Sequence, residues 1–234
     1  MIAKFEPGNK ILVIDFDHTL YDTDAFLLFE IRRVMLDEFH IPTKEWEDSY
    51  ELAVKAGYTI IRHFEELAKI LPEYSNFSKE KIKDFVEKIN FSKYLYEDTM
   101  SFLNEAKNKG YKIVLISFGA PNWQDKKVLG VGFDKIMDVI RYTKEEGNKL
   151  EVLKQYTQGC SKVVFVENNG QDLDAVHEVL PFVETHLMNR VPDEAMNAEE
   201  DEFMRIRYSE SRRIAKKQVA FDHKRVHTLG EVIL

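Results

Sequence analysis

The chain has 234 residues, 44% hydrophobic and 12% aromatic, with a formal net charge of −8. That is enough apolar material for one large domain, or for a core domain carrying a smaller insertion, and it excludes a chain disordered throughout. The acidic balance repels nucleic acid and anionic membrane surfaces, so neither is expected as a partner.

The polar stretch Met1–Lys10 leads into the apolar run Ile11–Ile14, which is too short for a signal-peptide core or a bilayer span. Cys160 is the sole cysteine, so no internal disulfide can form and a cytoplasmic protein is expected. Ile11–Ile14 is instead the first of four runs the length of a buried strand. The others are Ile113–Ile116, Val163–Val166 and Phe182–Met188. Ile136–Ile140 is a weaker strand, and Arg225–Thr228 would add one at an edge. Helical patterns separate most of them, which predicts an α/β fold with a Rossmann-like parallel sheet covered on both faces.

From Tyr21 to about Tyr94 the pattern is helical throughout. Leu28, Ile31, Met35 and Phe39 recur at helical spacing, as do Ile60, Phe64, Leu67 and Leu71, which Pro72 ends. Ser78 suits the N-cap of a third helix with Ile82, Phe85, Val86 and Ile89 on one face. A helical block of this length between two strands exceeds a crossover loop, so residues 21–94 are expected to form a cap inserted into a core of residues 1–20 and 95–234. The next helix places Met100, Leu103 and Ala106 on one face and stops at Gly110. Further on, Asp193–Glu202 carries six acids and Arg205–Arg225 eight Lys or Arg, expected as a solvated helical excursion.

Two carboxylates, Asp15 and Asp17, follow the first strand directly. In open α/β sheets, ligands bind in the crevice outside the carboxyl ends of the strands. Paired carboxylates there call for a cation, or for a division of labour between nucleophile and proton carrier. The Asp-x-Asp pattern is weak by itself, but the string Asp15-Phe16-Asp17-His18-Thr19-Leu20 after a strand is much rarer. It resembles the first motif of the haloacid dehalogenase superfamily, Asp-x-Asp-x-Thr. In that family the first Asp attacks phosphorus and the second is the general acid and base.

The resemblance extends along most of the chain. It implies that Ser117, ending the second strand, is the hydroxyl of the second motif, with Phe118 beside it in the phosphate-binding set. Lys149, opening a helix over Leu150–Tyr156, matches the third-motif lysine; Lys144 and Lys135 compete for that role. In the fourth motif, Glu167-Asn168-Asn169-Gly170-Gln171-Asp172, the chain departs from the family. Asp172 matches the later acid, but Asn168 stands where a carboxylate normally holds Mg²⁺. Asn offers one neutral oxygen, so metal affinity falls unless Glu167 or Asp172 compensates.

The implied activity is a metal-dependent phosphomonoester hydrolase using Mg²⁺ or Mn²⁺ on a small-molecule phosphate ester. The implied metal ligands are Asp15, Asp17, Asn168, Glu167 and Asp172; the catalytic set is Asp15, Asp17, Thr19, Ser117 and Lys149. Asp17 speaks against the dehalogenase branch, which has no leaving alcohol to protonate. A phosphomutase would use the same residues. A regulatory module with a decayed fourth motif would keep Asp15, Asp17, Thr19 and Ser117 without turnover. Elsewhere, His223 and His227 have helical ligand spacing but no third partner and are expected at the surface. Cys160 has no activating His and is expected to be structural.

Overall fold

A computed structural model describes residues 5–73, 79–143, 148–190 and 219–234. Six parallel strands form one sheet in the order β3-β2-β1-β4-β5-β6: β1 (Lys10–Ile14), β2 (Tyr111–Phe118), β3 (Val139–Thr143), β4 (Lys162–Glu167), β5 (Glu184–Met188) and β6 (Lys224–Val226). The apolar runs are continuous because both faces are covered. Ile11 and Val13 pack with Leu153, Tyr156 and Leu173 on one side, while Leu12 and Ile14 pack with Phe102, Leu103 and Ala106 on the other. The expected edge strand is found as β6. The weak strand is displaced: Met137 still bonds back to the Phe133 carbonyl in a turn, so pairing with β2 starts at Val139.

The helical block contains α1 (Thr23–Phe26), α2 (Arg33–Asp37), α3 (Thr43–Lys55), α4 (Ile60–Ile70) and α5 (Lys79–Glu87). A π-helical stretch, Leu27–Arg32, joins α1 to α2. Its wider turn resets the apolar stripe, so Phe26, Leu27, Ile31 and Met35 are buried and Leu28 only half so. The α4 and α5 stripes lie as the spacing predicts; Ser78 and most of the charged stretch 193–225 lie outside the described residues. Helix α3 has no sequence signal of comparable strength, because its buried positions are Trp46, Ser49 and Ala53.

Returning to the sheet, α6 (Thr99–Asn108), α7 (Pro121–Gly130), α8 (Lys149–Tyr156) and α9 (Gly170–Val179) complete the layers. On α6 the inward face is Phe102, Leu103 and Ala106, whereas Met100 is exposed. One apolar cluster runs without a break from Leu12 and Ile14 through Phe16 and Tyr21 into Phe26, Ile31, Trp46 and Ile60. The helical block and one sheet face therefore share a core. No helix among the described residues is long and apolar enough to cross a membrane.

Candidate active site

Strand order reverses around β1, with β2 on one side and β4 on the other, and the crevice at that switch is where the fold exposes side chains. Register fixes what is exposed. The Asp15 amide donates to the Val166 carbonyl at 3.0 Å, holding the first acid level with the end of β4. The loop then closes tightly: the Leu20 and Tyr21 amides donate to the Phe16 carbonyl at 2.9 and 3.1 Å. Phe16 is fully buried and stacks on Tyr21, while His18 takes a left-handed φ of 59°. Asp15 and Asp17 consequently point toward the same space.

A cavity of about 210 Å³ is lined by Asp15, Asp17, Ser117, Phe118, Lys149, Glu167, Asn168 and Asp172. All the expected site residues meet there except Thr19, which lies fully buried behind Asp15 and donates to its Oδ2 at 3.1 Å. Lys149 Nζ donates to Asp15 Oδ1 at 2.6 Å and also to Glu167 Oε2. The other Glu167 oxygen accepts the Asn169 amide at 2.9 Å. Of the competing lysines, Lys135 is exposed at a turn and Lys144 lies outside the described residues.

Asp17 is surrounded by donors that sequence reasoning did not single out. Its Oδ1 accepts Thr23 Oγ1 and Lys127 Nζ, both at 2.5 Å, and its Oδ2 accepts Gln124 Nε2 at 2.8 Å. The Ser117 hydroxyl is farther, at 3.4 Å from Oδ2. Lys127 is buried on α7, with its ammonium over the rings of Phe16 and Tyr21. The available signal was a polar pair, Gln124 and Lys127, on the same face as Trp123 and Val128. Arg190 was also missed: it donates to the Thr19 carbonyl at 2.8 and 3.0 Å and pairs with both oxygens of Asp98.

The electrostatics of the two acids diverge. Burial pushes Asp15 up to about 7, the nearby Glu167 carboxylate adds to the rise, and Lys149 only partly opposes it. Burial would also raise Asp17, but Lys127, Thr23 and His18 outweigh it and hold the acid at about 2. Glu167 is shifted upward, chiefly by burial. Lys149 is held charged: burial works against the ammonium, but Asp15 and Glu167 outweigh it. Four carboxylates (Asp15, Asp17, Glu167 and Asp172) thus stand against two ammonium groups, Lys127 and Lys149. A divalent cation fits that charge deficit, and oxygens of Asp15, Asn168, Glu167 and Asp172 border one cavity. Among the described residues, no three acidic, His or Cys side chains already converge as a cage, since the lysines are interposed.

A sequence model of haloacid dehalogenase-like hydrolases matches residues 9–179. The chain belongs to this family. No curated relative matches in sequence. Among solved structures, a haloacid dehalogenase-like hydrolase from Burkholderia xenovorans LB400 aligns with a TM-score of 0.70 at 18% identity, over 96% of this chain and 95% of that one. An L-2-haloacid dehalogenase from Xanthobacter autotrophicus, with chloropropionic acid covalently bound, aligns at 0.56 and 18%, over 95% and 96%. A hydrolase of the family from Bacillus subtilis, bound to magnesium, aligns at 0.54 and 13%, over 96% of each chain. At these identities the likeness is one of fold. Two other expectations can be placed within the haloacid dehalogenase-like fold. His223 is buried and bonded to Thr185 and Asp174, a tie between β5, α9 and the C-terminal segment, so the surface expectation fails for it. Cys160 Sγ donates to the Tyr156 carbonyl and packs against the core cluster that contains Leu153 and Tyr156.

Proposed function

We propose that this hydrolase cleaves phosphomonoesters through an aspartyl-phosphate on Asp15. The observation that carries the reading is Asp17, a second carboxylate bordering the same cavity and backed by its own lysine. A phosphate ester needs such a group and a carbon–halogen bond does not, because an alkoxide must be protonated as it leaves whereas a halide need not be. Asp15 Oδ attacks phosphorus, the bond to the leaving oxygen breaks, and Asp17 supplies a proton to that oxygen. Lys127, 2.5 Å away, is the adjacent proton store for an acid otherwise held ionised. Asp17 then takes a proton from water as the water attacks phosphorus, freeing Asp15 and inorganic phosphate.

Two unit negative charges about 4 Å apart repel by about 4 kcal/mol at an effective dielectric of 20, so attack on a phosphate needs cationic help. Lys149 and the Ser117 hydroxyl face the phosphoryl oxygens in this reading, with Phe118 closing the site. Asp15, Asn168 and either Glu167 or Asp172 would hold Mg²⁺ or Mn²⁺, which when bound supplies charge against those oxygens. Residues 21–94 act as a cap on the core of residues 1–20 and 95–234, and α3 and α4 contribute to the wall of a larger adjoining cavity.

A second reading, substitution at carbon as in haloacid dehalogenases, is favoured by Asn168, which puts a neutral oxygen where a hard cation would take a carboxylate. The deciding experiment gives the protein alkyl phosphates and 2-chloropropionate in parallel, with and without Mg²⁺. Phosphate release that Asp15→Asn abolishes is expected. Chloride release without phosphate release would replace the hydrolase reading with the dehalogenase one.

A further inference from the structure

Beyond Asp17 the crevice opens into a second cavity of about 590 Å³, which shares only Asp17 and Phe118 with the first. Its size is that of a small-molecule pocket. Four rings run in unbroken contact along its wall. Tyr50 meets Tyr58 at 5.4 Å between centroids, Tyr58 meets Trp123 edge-on at 6.1 Å, and Trp123 meets Phe26 at 6.3 Å. They come from both sides of the cavity: Tyr50 and Tyr58 from α3 and the turn before α4, Phe26 from α1, and Trp123 from α7.

Most of the polar side chains around those rings are already committed, the exception being the buried Gln124 Oε1, which has no partner among the described residues. Thr23, Gln124 and Lys127 hold Asp17. Arg62 donates to the carbonyls of Ala56 and Gly57, and the Tyr58 hydroxyl faces His63 Nδ1 at 3.4 Å. Lys55 stands at the exposed mouth beside Glu51. A sugar placed here would bury hydroxyls with few partners, a penalty the rings cannot offset. A flat apolar group would displace water from rings placed for edge-to-face and offset contact.

We infer that this cavity selects the leaving group, and that the substrate class is a phosphomonoester of an arylalkyl or similarly flat apolar alcohol, not of a sugar. The inference rests on the hydrolase reading for the phosphate and on the ring wall for the alcohol. Asp17, common to both cavities, marks where the scissile P–O bond lies.

The test separates those two parts. Calorimetry on the wild-type protein would compare 2-(2-naphthyl)ethylphosphonate, methylphosphonate and the neutral alcohol 2-naphthylmethanol. Turnover would compare 2-phenylethyl phosphate with glucose 6-phosphate, whose leaving alcohols are of similar acidity. The naphthyl phosphonate should bind about tenfold or more tightly than methylphosphonate, and Trp123→Ala should remove most of that ratio. Tyr58→Leu, a half-buried position next to Trp123 in the wall, gives the same reading if the Trp123 variant fails to fold. The phenylethyl ester should exceed the sugar phosphate in kcat/KM by about tenfold, the same differential applied to turnover. Equal binding of the two phosphonates, with no binding of the alcohol, overturns the assignment. Naphthyl selectivity that depends on Trp123, with no phosphate released from any ester, keeps the ring pocket and removes the hydrolase reading instead.

Discussion

At the carboxyl ends of β1, β2 and β4 the crevice is walled by carboxylates and a lysine, each tied to another group; beyond Asp17, where the helical block faces α7, it is walled by rings. The first wall is fixed largely by strand register, since Asp15 directly follows β1, Ser117 is the next-to-last residue of β2 and Glu167 the last of β4, while Asp172 and Lys149 are held by the first turns of α9 and α8. The second is fixed by helix packing, in which Tyr50 meets Tyr58, Tyr58 meets Trp123, and the two tyrosines also pack on His63. Charge set by register cannot drift without slipping a strand, whereas a ring wall can be recut by single substitutions. Changes in the first wall should therefore act on kcat, and changes in the second on which ester is accepted.

The largest effect that separates the walls is expected at Asp15. Asp15→Asn should lower phosphate release by about 10⁴-fold or more, as loss of a covalent nucleophile does. It should also stabilise the fold. The folded-state pKa is raised to about 7 from 3.8, mainly by burial, so the native state holds its proton more tightly than the unfolded chain. Stability from that group is full below about 4 and is lost as pH rises through about 7. At pH 8 the variant should gain about 1–3 kcal/mol, and near pH 4 nothing. Thermal melts at both values check the sign, and an unchanged melting temperature at pH 8 would mean that Lys149 fully compensates the charge. The same shift makes kcat/KM of the wild type rise as pH climbs toward 7, and added Mg²⁺ should move that rise to lower pH.

Next comes the helical block, whose contribution to the shared core can be measured at Trp46. This ring is fully buried, stacks on Tyr50 and donates its Nε1–H to Met35 Sδ. Trp46→Ala should cost about 3–5 kcal/mol. Because the cluster is continuous into Phe16 and Ile14, denaturant unfolding should stay a single transition. Two transitions would show that the block unfolds by itself and that the shared core is energetically weak.

Lys127 should matter less than Asp15 but within the same charged wall. Lys127→Met keeps the buried stem and deletes the ammonium beside Asp17. The expected loss is about 10²-fold in kcat with little change in KM, and smaller for esters of acidic phenols, which leave without a proton. An equal loss for alkyl and nitrophenyl esters would assign Lys127 to charge balance alone.

How much of this is legible in the sequence follows from which wall a residue belongs to. β1, β2 and β4 announce themselves because double burial demands unbroken apolar runs, and the first acid is then located by simple succession. Lys149 is legible through order along the chain. Lys127 is not, since a lysine on a helix is ordinarily solvated, and only the loop geometry that brings Asp17 over α7 gives it a partner. Trp123 and Tyr58 look like core aromatics for the same reason: nothing in the spacing says that one side of each borders a cavity. The π-turn at Leu27–Arg32 likewise defeats a reading that counts in steps of 3.6.

The smallest effect is expected at Asn168, and it bears on how the charged wall reaches balance. Four carboxylates against two lysines leave a deficit, and repulsion between neighbouring acids adds to the burial that chiefly raises the pKa values of Asp15 and Glu167. Asn168→Asp adds a fifth negative charge to the same cavity. If a divalent cation normally closes the deficit, the new carboxylate should tighten Mg²⁺ binding by about tenfold, as an added anionic oxygen does at a hard-cation site, and should raise turnover at low Mg²⁺. If Lys127 and Lys149 alone run the chemistry, the extra charge should instead raise the pH at which activity appears and leave Mg²⁺ without effect. Calorimetric Mg²⁺ titration of both proteins, followed by phosphate release against pH, tells these apart. Tighter Mg²⁺ binding without faster turnover would mean that the cation binds the acids but away from the reacting phosphate, and Asn168 would lose its place as a ligand in the reaction.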